Sequence, residues 1–230
     1  LRHIQSVLQQ CPEPSRQLLD YGCGSGRYGL PLAQEKNLII HAYDVCDEAI
    51  DRLRQRLQET VASQTIHIIN ESEVLAAKGC YDVALLLFGV LSHIPEPEER
   101  QQVLRTLGNG LKPDRGRLIL SVPNVKRRFL QVQKHQRHPA GDIQYQRQYR
   151  GQALHFFYHL YDRGGVVAEL QAAGFQVEHL VAESILPESW LCHRPYLRGL
   201  DRCLQLCLPV DWGYGFLVTA RYRHHASGGK

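Results

Sequence analysis

The chain has 230 residues, 43% hydrophobic and 22% charged, with a formal charge of +4. That length and balance suit one sizeable α/β domain, or one domain with an insertion. No apolar run approaches the roughly 20 residues of a membrane-spanning helix, and Leu1-Arg2-His3-Ile4-Gln5 does not read as a signal peptide. The sequence opens at Leu1 and contains no methionine, which reads as a fragment or as residues unrecorded at the start. Its seven cysteines are odd in number and form no CxxC pair; Cys203 and Cys207, one helical turn apart, read as packing. All seven are expected as reduced thiols, in a cytoplasmic protein with no metal site.

In chain order, Leu1, Ile4, Val7 and Leu8 have helical spacing, and Pro12 and Pro14 end that segment. A first strand is predicted over Gln17 to Asp20. Gly22, Gly24 and Gly26 follow, and a helix is predicted from Arg27 to about Glu35. Leu38 to Tyr43 reads as a buried strand closed by Asp44, and Asp47 is placed to cap a helix carrying Ile50, Leu53 and Leu57. Thr65 to Ile69 is a third strand. Asp82 to Phe88 is the fourth and most hydrophobic, as a central parallel strand should be. Pro95 to Leu111 gives an amphipathic helix, and Arg117 to Val122 a fifth strand.

Strands alternating with helices imply a Rossmann-like, mostly parallel sheet with helices on both faces. Such sheets bind ligands at the carboxyl ends of their strands. The glycine loop, Asp44, Asn70-Glu71-Ser72 and Phe88-Gly89-Val90 all fall at those ends.

Glycine permits positive φ and close backbone approach, and amides opening the next helix suit an anion. Two registers compete. Gly24-x-Gly26-x-x-Gly29, with Asp44 some 20 residues beyond Gly24, matches the dinucleotide fingerprint. Asp20-x-Gly22-x-Gly24-x-Gly26 fits the strand end better, because the first glycine should directly follow the strand. An ordinary strand–helix turn is the plainest alternative.

LLDYGCGSG, the acid of HAYD, YDVALLLFGVLSHI and LKPDRGRLILSVPN resemble, in order, motifs I, II, IV and post-IV of the class I S-adenosylmethionine (SAM) dependent methyltransferases. The likeness covers about Leu18 to Asn124, with a looser continuation to Arg223. It implies a seven-stranded sheet whose last strand, Gly215 to Tyr222, is antiparallel. It further implies that Gly22, Gly24 and Gly26 run against the methionine part of SAM and that Asp44 accepts from both ribose hydroxyls. Asp20 would help hold the cofactor's amino end. Val45, with Phe88 or Val90, would line the adenine pocket, and Glu71 or Ser72 would meet the adenine amino group. The plainer alternatives are Asp20 and Asp44 as helix caps and Phe88 as core. A histidine following the fourth strand is common in the family; His93 would support the loop or, as a neutral imidazole, take a proton from the acceptor.

From Asn124 to Arg163 eight cations face two acids, a net +6 in a chain that sums to +4, so the rest carries −2. Four histidines and Tyr145, Tyr149, Tyr158 and Tyr161 share the stretch. It reads as a solvated helix pair or as a lid over the substrate side, with Arg127, Arg128, Arg147 and Tyr161 toward an acidic acceptor or RNA. Tyr158 and His159 would stand near the reacting group. Leu154 to Tyr161 is similar to a stretch of tRNA wobble-uridine carboxymethyl methyltransferases. Gly164 to Ala173 is a helix leading into a strand over Gln176 to Val181. Leu186 to Leu208 is a second variable segment, with Trp190, Pro195 and Tyr196 as pocket walls. His224 to Lys230 reads as a frayed tail.

The expected activity is SAM-dependent methyl transfer to an oxygen, nitrogen or carbon nucleophile of a small molecule. An RNA-modifying methyltransferase, a nicotinamide dehydrogenase and a catalytically silent SAM- or RNA-binding module are the alternatives. The sequence does not give the oligomeric state.

Overall fold

A computed structural model describes residues 1–11, 15–135, 141–149, 151–194 and 196–223. The N-terminal helix α1 (Arg2–Gln9) packs Ile4, Val7 and Leu8 inward. Then come β1 (Arg16–Tyr21), the single turn α2 (Gly29–Leu32), β2 (Leu38–Tyr43), α3 (Asp47–Gln58), β3 (Ile66–Ile68) and α4 (Glu71–Ala76). The middle of the chain gives β4 (Val83–Leu86), α5 (Pro97–Gly110), β5 (Arg117–Pro123), α6 (Leu130–His135) and the pair β6 (Asp142–Tyr149) and β7 (Gln152–His159). It closes with α7 (Arg163–Ala172), β8 (Phe175–Ala182), α8 (Glu188–His193), α9 (Leu197–Cys207) and β9 (Gly215–Tyr222).

Seven strands form one sheet in the order β3-β2-β1-β4-β5-β9-β8. β9 runs antiparallel between β5 and β8, and the other pairings are parallel. The reversal of order between β1 and β4 opens the crevice that such sheets use for ligands. Two apolar clusters, one containing Leu19, Leu86, Leu104 and Phe216 and the other Leu18, Leu32, Leu53 and Leu85, hold adjacent strand residues, as the alternation of side chains across a sheet requires. All four residues of β4 are buried, which explains its unbroken hydrophobic reading.

Three local expectations change. The helix expected from Arg27 is one turn only; Pro31 within it has no amide hydrogen to give, and the chain turns again through Asn37 at φ 56°. Asp47 is not the cap of α3; Cys46 holds that position, and its amide is taken by Asp44. The basic insertion is a short helix and a β-hairpin rather than a helix pair. Its residues alternate between Ile143 and Tyr145 on one strand and Leu154, Phe156 and Tyr158 on the other, with Gly151 at φ 79° in the turn. The expected tail, His224 to Lys230, and the helix-ending prolines Pro12 and Pro14 lie outside the described residues.

Candidate cofactor and acceptor site

The glycine loop is shaped by three positive φ values: 78° at Gly22, 54° at Gly24 and 84° at Gly26. The three have different tasks. A Cβ on Gly22 would sit 2.5 Å from Val90 Cγ2 and one on Gly26 2.7 Å from Leu53 Cδ1, whereas one on Gly24 would meet nothing within 4 Å. Gly22 and Gly26 are therefore packing positions, and Gly24 presents bare backbone to open space. The loop is fastened on both sides. Gly22 N and Cys23 N donate to Tyr43 O at 2.7 and 3.0 Å, and Arg56 Nη1 donates to Ser25 O at 2.7 Å. Gly22 directly follows β1, as the methyltransferase register requires.

Two carboxylates stand under this loop. Asp44 accepts from Gly24 N through Oδ2 at 2.7 Å and from Cys46 N through Oδ1 at 2.9 Å. Asp20, at the end of β1, is 4% exposed. Burial pushes its carboxyl up to about 7, with the Asp44 charge adding to the rise and the Gly29 amide opposing it. Burial likewise raises the Cys23 thiol above its ordinary value.

Beside the loop lies a cavity of about 580 Å³. One wall is Tyr21, Gly22, Tyr43, Asp44, Val45 and Cys46, and the other is Val90, His93 and Ile94. His155, Phe156 and Phe157 of β7 cover it. Val45 is 81% exposed at its edge. The Tyr21 and Tyr43 rings stand 4.9 Å apart. Burial raises both phenols, and the nearby charges of Glu71 and Asp44 add to the rise. At the start of α4, Asn70 and Glu73 form a reciprocal capping box, and Ser72 Oγ donates to Asn70 Oδ1. Glu71 lines the adjoining cleft with Tyr21 and Ile94. Of the two sequence candidates, Glu71 therefore faces the rim and Ser72 serves the cap.

Phe88 belongs elsewhere than expected. Its φ is 60°, and its ring lies under the Arg27 guanidinium at 4.0 Å and stacks on Tyr28 at 5.4 Å. That turns it toward the far side of the glycine loop and off the cavity wall, where Val90 stands instead.

The hairpin is seated on the loop after β4. His93 Nδ1 lies 3.2 Å from Phe157 O, and the His93 ring is 4.6 Å from that of Tyr158. Tyr158 reaches over Gly89, where a Cβ would meet its hydroxyl at 2.2 Å. Phe129, Tyr145, Phe156 and Tyr158 pack ring on ring beneath it. The loop itself is held from below: Arg100 Nη1 donates to Ile94 O and Pro95 O, and Arg100 Nε pairs with Glu169 at 2.8 Å.

Other sequence candidates lie away from this cavity. His159 Nδ1 pairs with Asp142 at the foot of the hairpin, 2.5 Å away. Tyr161 is 1% exposed within the core, because its backbone bridges to Asn124 and Pro123 at the sheet. It cannot meet a substrate. Arg127 lies over the Tyr214 ring at 4.7 Å with Arg128 behind it at 6.0 Å, so both stand at the base of the insertion against the approach to β9. The Arg147 side chain and Pro195 lie outside the described residues. Trp190 and Tyr196 are 53% and 73% exposed and line none of the cavities above. Sequence reasoning missed Tyr21, Tyr43, Cys46, Ile94 and His155 to Phe157. Their positions at or just after strand ends, and the alternation of β7, are the signals that would have found them.

Among the described residues there is no cluster of metal-binding side chains, and no helix is long and apolar enough to cross a membrane. No curated protein matches the chain in sequence. Solved structures share its fold. The CcbJ methyltransferase from Streptomyces caelestis superposes with a TM-score of 0.65 at 12% identity over 96% of this chain and 92% of that one. The glycopeptide N-methyltransferase MtfA, complexed with sinefungin, gives 0.63 at 15% over 97% and 85%. The [4+2]-cyclase SpnF gives 0.60 at 17% over 97% and 81%. A family model described as a methyltransferase domain matches residues 2–180. With the glycine register, the strand order and that match together, the chain belongs to the class I SAM-dependent methyltransferase family.

Proposed function

We propose that this protein transfers the methyl group of SAM to an oxygen, nitrogen or carbon nucleophile of a small molecule held under the β6–β7 hairpin. The observation that supports this best is the cavity shared by the glycine loop, Asp44, Val45 and the covering residues of β7. Its volume of about 580 Å³ falls within the roughly 300–1,000 Å³ of cofactor and small-molecule sites.

The residues fit the cofactor. Each Asp44 oxygen spends one lone pair on a backbone amide and keeps another for a ribose hydroxyl. Val45, exposed at the rim, offers an apolar face to a flat ring, opposite Val90. Gly24 leaves the backbone bare for close approach. Asp20 lies behind the loop as counter-charge for an ammonium group.

When bound, SAM supplies a methyl group already activated by its sulfonium. The chain's own task is then to orient the acceptor and exclude water. The β7 cover and the His93 seat do this. With Nδ1–H donating to Phe157 O, His93 carries its lone pair on Nε2, the nitrogen suited to take the acceptor's proton. The groups facing the cavity from the acceptor side are aromatic rings and imidazoles, with Arg127 and Arg128 away at the base. This favours a neutral acceptor over an acidic one.

A second reading, methylation of RNA, rests on the +6 charge of residues 124–163. Incubating the intact chain with methyl-labelled SAM and either a metabolite extract or a tRNA pool separates the two. Label in small molecules supports the proposal, and label in tRNA supports the second reading. SAM binding without transfer to either would make the chain a silent binding module.

A further inference from the structure

Helix α9 is turned inside out for a surface helix. Asp201 and Gln205 point into the protein. Asp201 is 4% exposed; its Oδ1 accepts from the amides of Ile185 and Leu186 at 2.9 and 2.7 Å. Gln205 donates to Asp201 Oδ2 at 2.8 Å and to Glu183 O at 3.1 Å. The outward face is apolar. Tyr196, Leu200, Cys203, Leu206 and Cys207 recur at the spacing of one helical stripe; Tyr196, Leu200 and Leu206 are 73%, 52% and 87% exposed, and both cysteines are exposed free thiols. Trp190, on the α8 helix that packs against α9, is 53% exposed.

Arg198 and Arg202, one turn apart, lie along one edge of this stripe, and Arg194 precedes it. From Trp190 to Leu208 the only acid is Asp201, which is turned inward.

We propose that the outer face of α9 docks on an anionic phospholipid surface. Exposed Trp, Tyr and Leu edged by arginine is the composition of a helix lying in the lipid–water interface, and the arginines complement acidic headgroups. A second copy of the chain fits less well. In a two-fold contact the face meets itself, and it carries no acid to pair with the partner's arginines. β8 runs parallel to β4, so the segment that carries α9 leaves the same edge of the sheet as the loop that carries Val90 and His93. This inference does not depend on the proposed methyl transfer.

Sedimentation of the intact chain with phosphatidylcholine vesicles, and with vesicles containing phosphatidylglycerol, tests it. The chain is expected to pellet with the acidic vesicles only. Leu200→Glu and Leu206→Glu, both at exposed positions that leave the inner face untouched, are expected to return it to the supernatant. Arg198→Gln with Arg202→Gln should weaken binding by about fivefold per arginine and reduce its salt dependence. Circular dichroism verifies that each variant is folded. A chain that stays in solution with both vesicle types, or a folded Leu206→Glu variant that binds like wild type, overturns the proposal. So does a wild-type dimer in sedimentation velocity that Leu206→Glu splits, since that assigns the face to a second copy.

Discussion

The amide of Gly24 donates to Asp44 Oδ2 at 2.7 Å, so the loop after β1 and the acid after β2 are one unit. Asp44 is a strut of the glycine loop and, in the function proposed above, the contact for the ribose. Loss of its carboxylate therefore acts on both the shape of the seat and the contact made there.

Gly22 and Gly24 should fail in different ways. Gly22→Ala drives a Cβ to within 2.5 Å of Val90 Cγ2, an overpacking that costs about 1–3 kcal/mol and should lower the denaturation midpoint. At Gly24 a Cβ would meet nothing within 4 Å, so the stability loss of Gly24→Val is expected chiefly from left-handed strain of about 1–2 kcal/mol. Its main effect should be loss of SAM binding. Chemical denaturation paired with calorimetry checks both, and a Gly24→Val variant that binds SAM normally would count against the loop as the cofactor's seat.

Asp20 makes stability depend on pH. Its folded pKa, about 7, lies above the ordinary carboxyl value of 3.8. Its stabilising contribution is thus fully present below the lower value and is lost as pH rises through the upper one. Stability should fall across that window, and Asp20→Asn should flatten the slope in denaturant titrations. An ammonium group bound nearby should draw the proton off, so SAM binding just below pH 7 should release protons. Titrations in buffers of different ionisation enthalpy would show this, and identical heats in all of them would not fit.

Tyr158 should govern turnover and leave cofactor affinity alone. It seats the hairpin on Gly89 and His93. Tyr158→Ala is expected to lower kcat on the order of 10-fold to 100-fold, the scale for a misplaced reactant, with SAM affinity near wild type. His159→Ala, at the foot of the hairpin on Asp142, should act through hairpin stability. A large loss of SAM binding in Tyr158→Ala would contradict the division of labour.

The sheet was legible because each of its first five strands is a short apolar run closed by a polar or glycine signal, and because three alternating glycines open just past the acid of the first. The hairpin was not. The eight cations of residues 124–163 suggest solvated surface, and the period-two alternation of Ile143, Tyr145, Phe156 and Tyr158 is interrupted by histidines and glutamines. Tyr21 and Tyr43 hid as last residues of buried strands, where the sequence does not say which ring faces the rim. Tyr161 hid the other way, since an aromatic after a lid reads as a contact until its backbone is seen bridging to Asn124. Phe88 depended on a left-handed φ that no local pattern signals in a bulky residue.

Calorimetric titration of the wild-type chain and of Asp44→Ala with SAM tests the central claim most directly. The wild type should bind one SAM and show no heat with NAD. Asp44→Ala, verified as folded by circular dichroism, should bind SAM more weakly by about 1.5–3 kcal/mol, the range for hydrogen bonds to a charged group. Equal affinity in the two proteins, or a wild type that binds NAD in place of SAM, would contradict the assignment of this loop and this carboxylate to the cofactor.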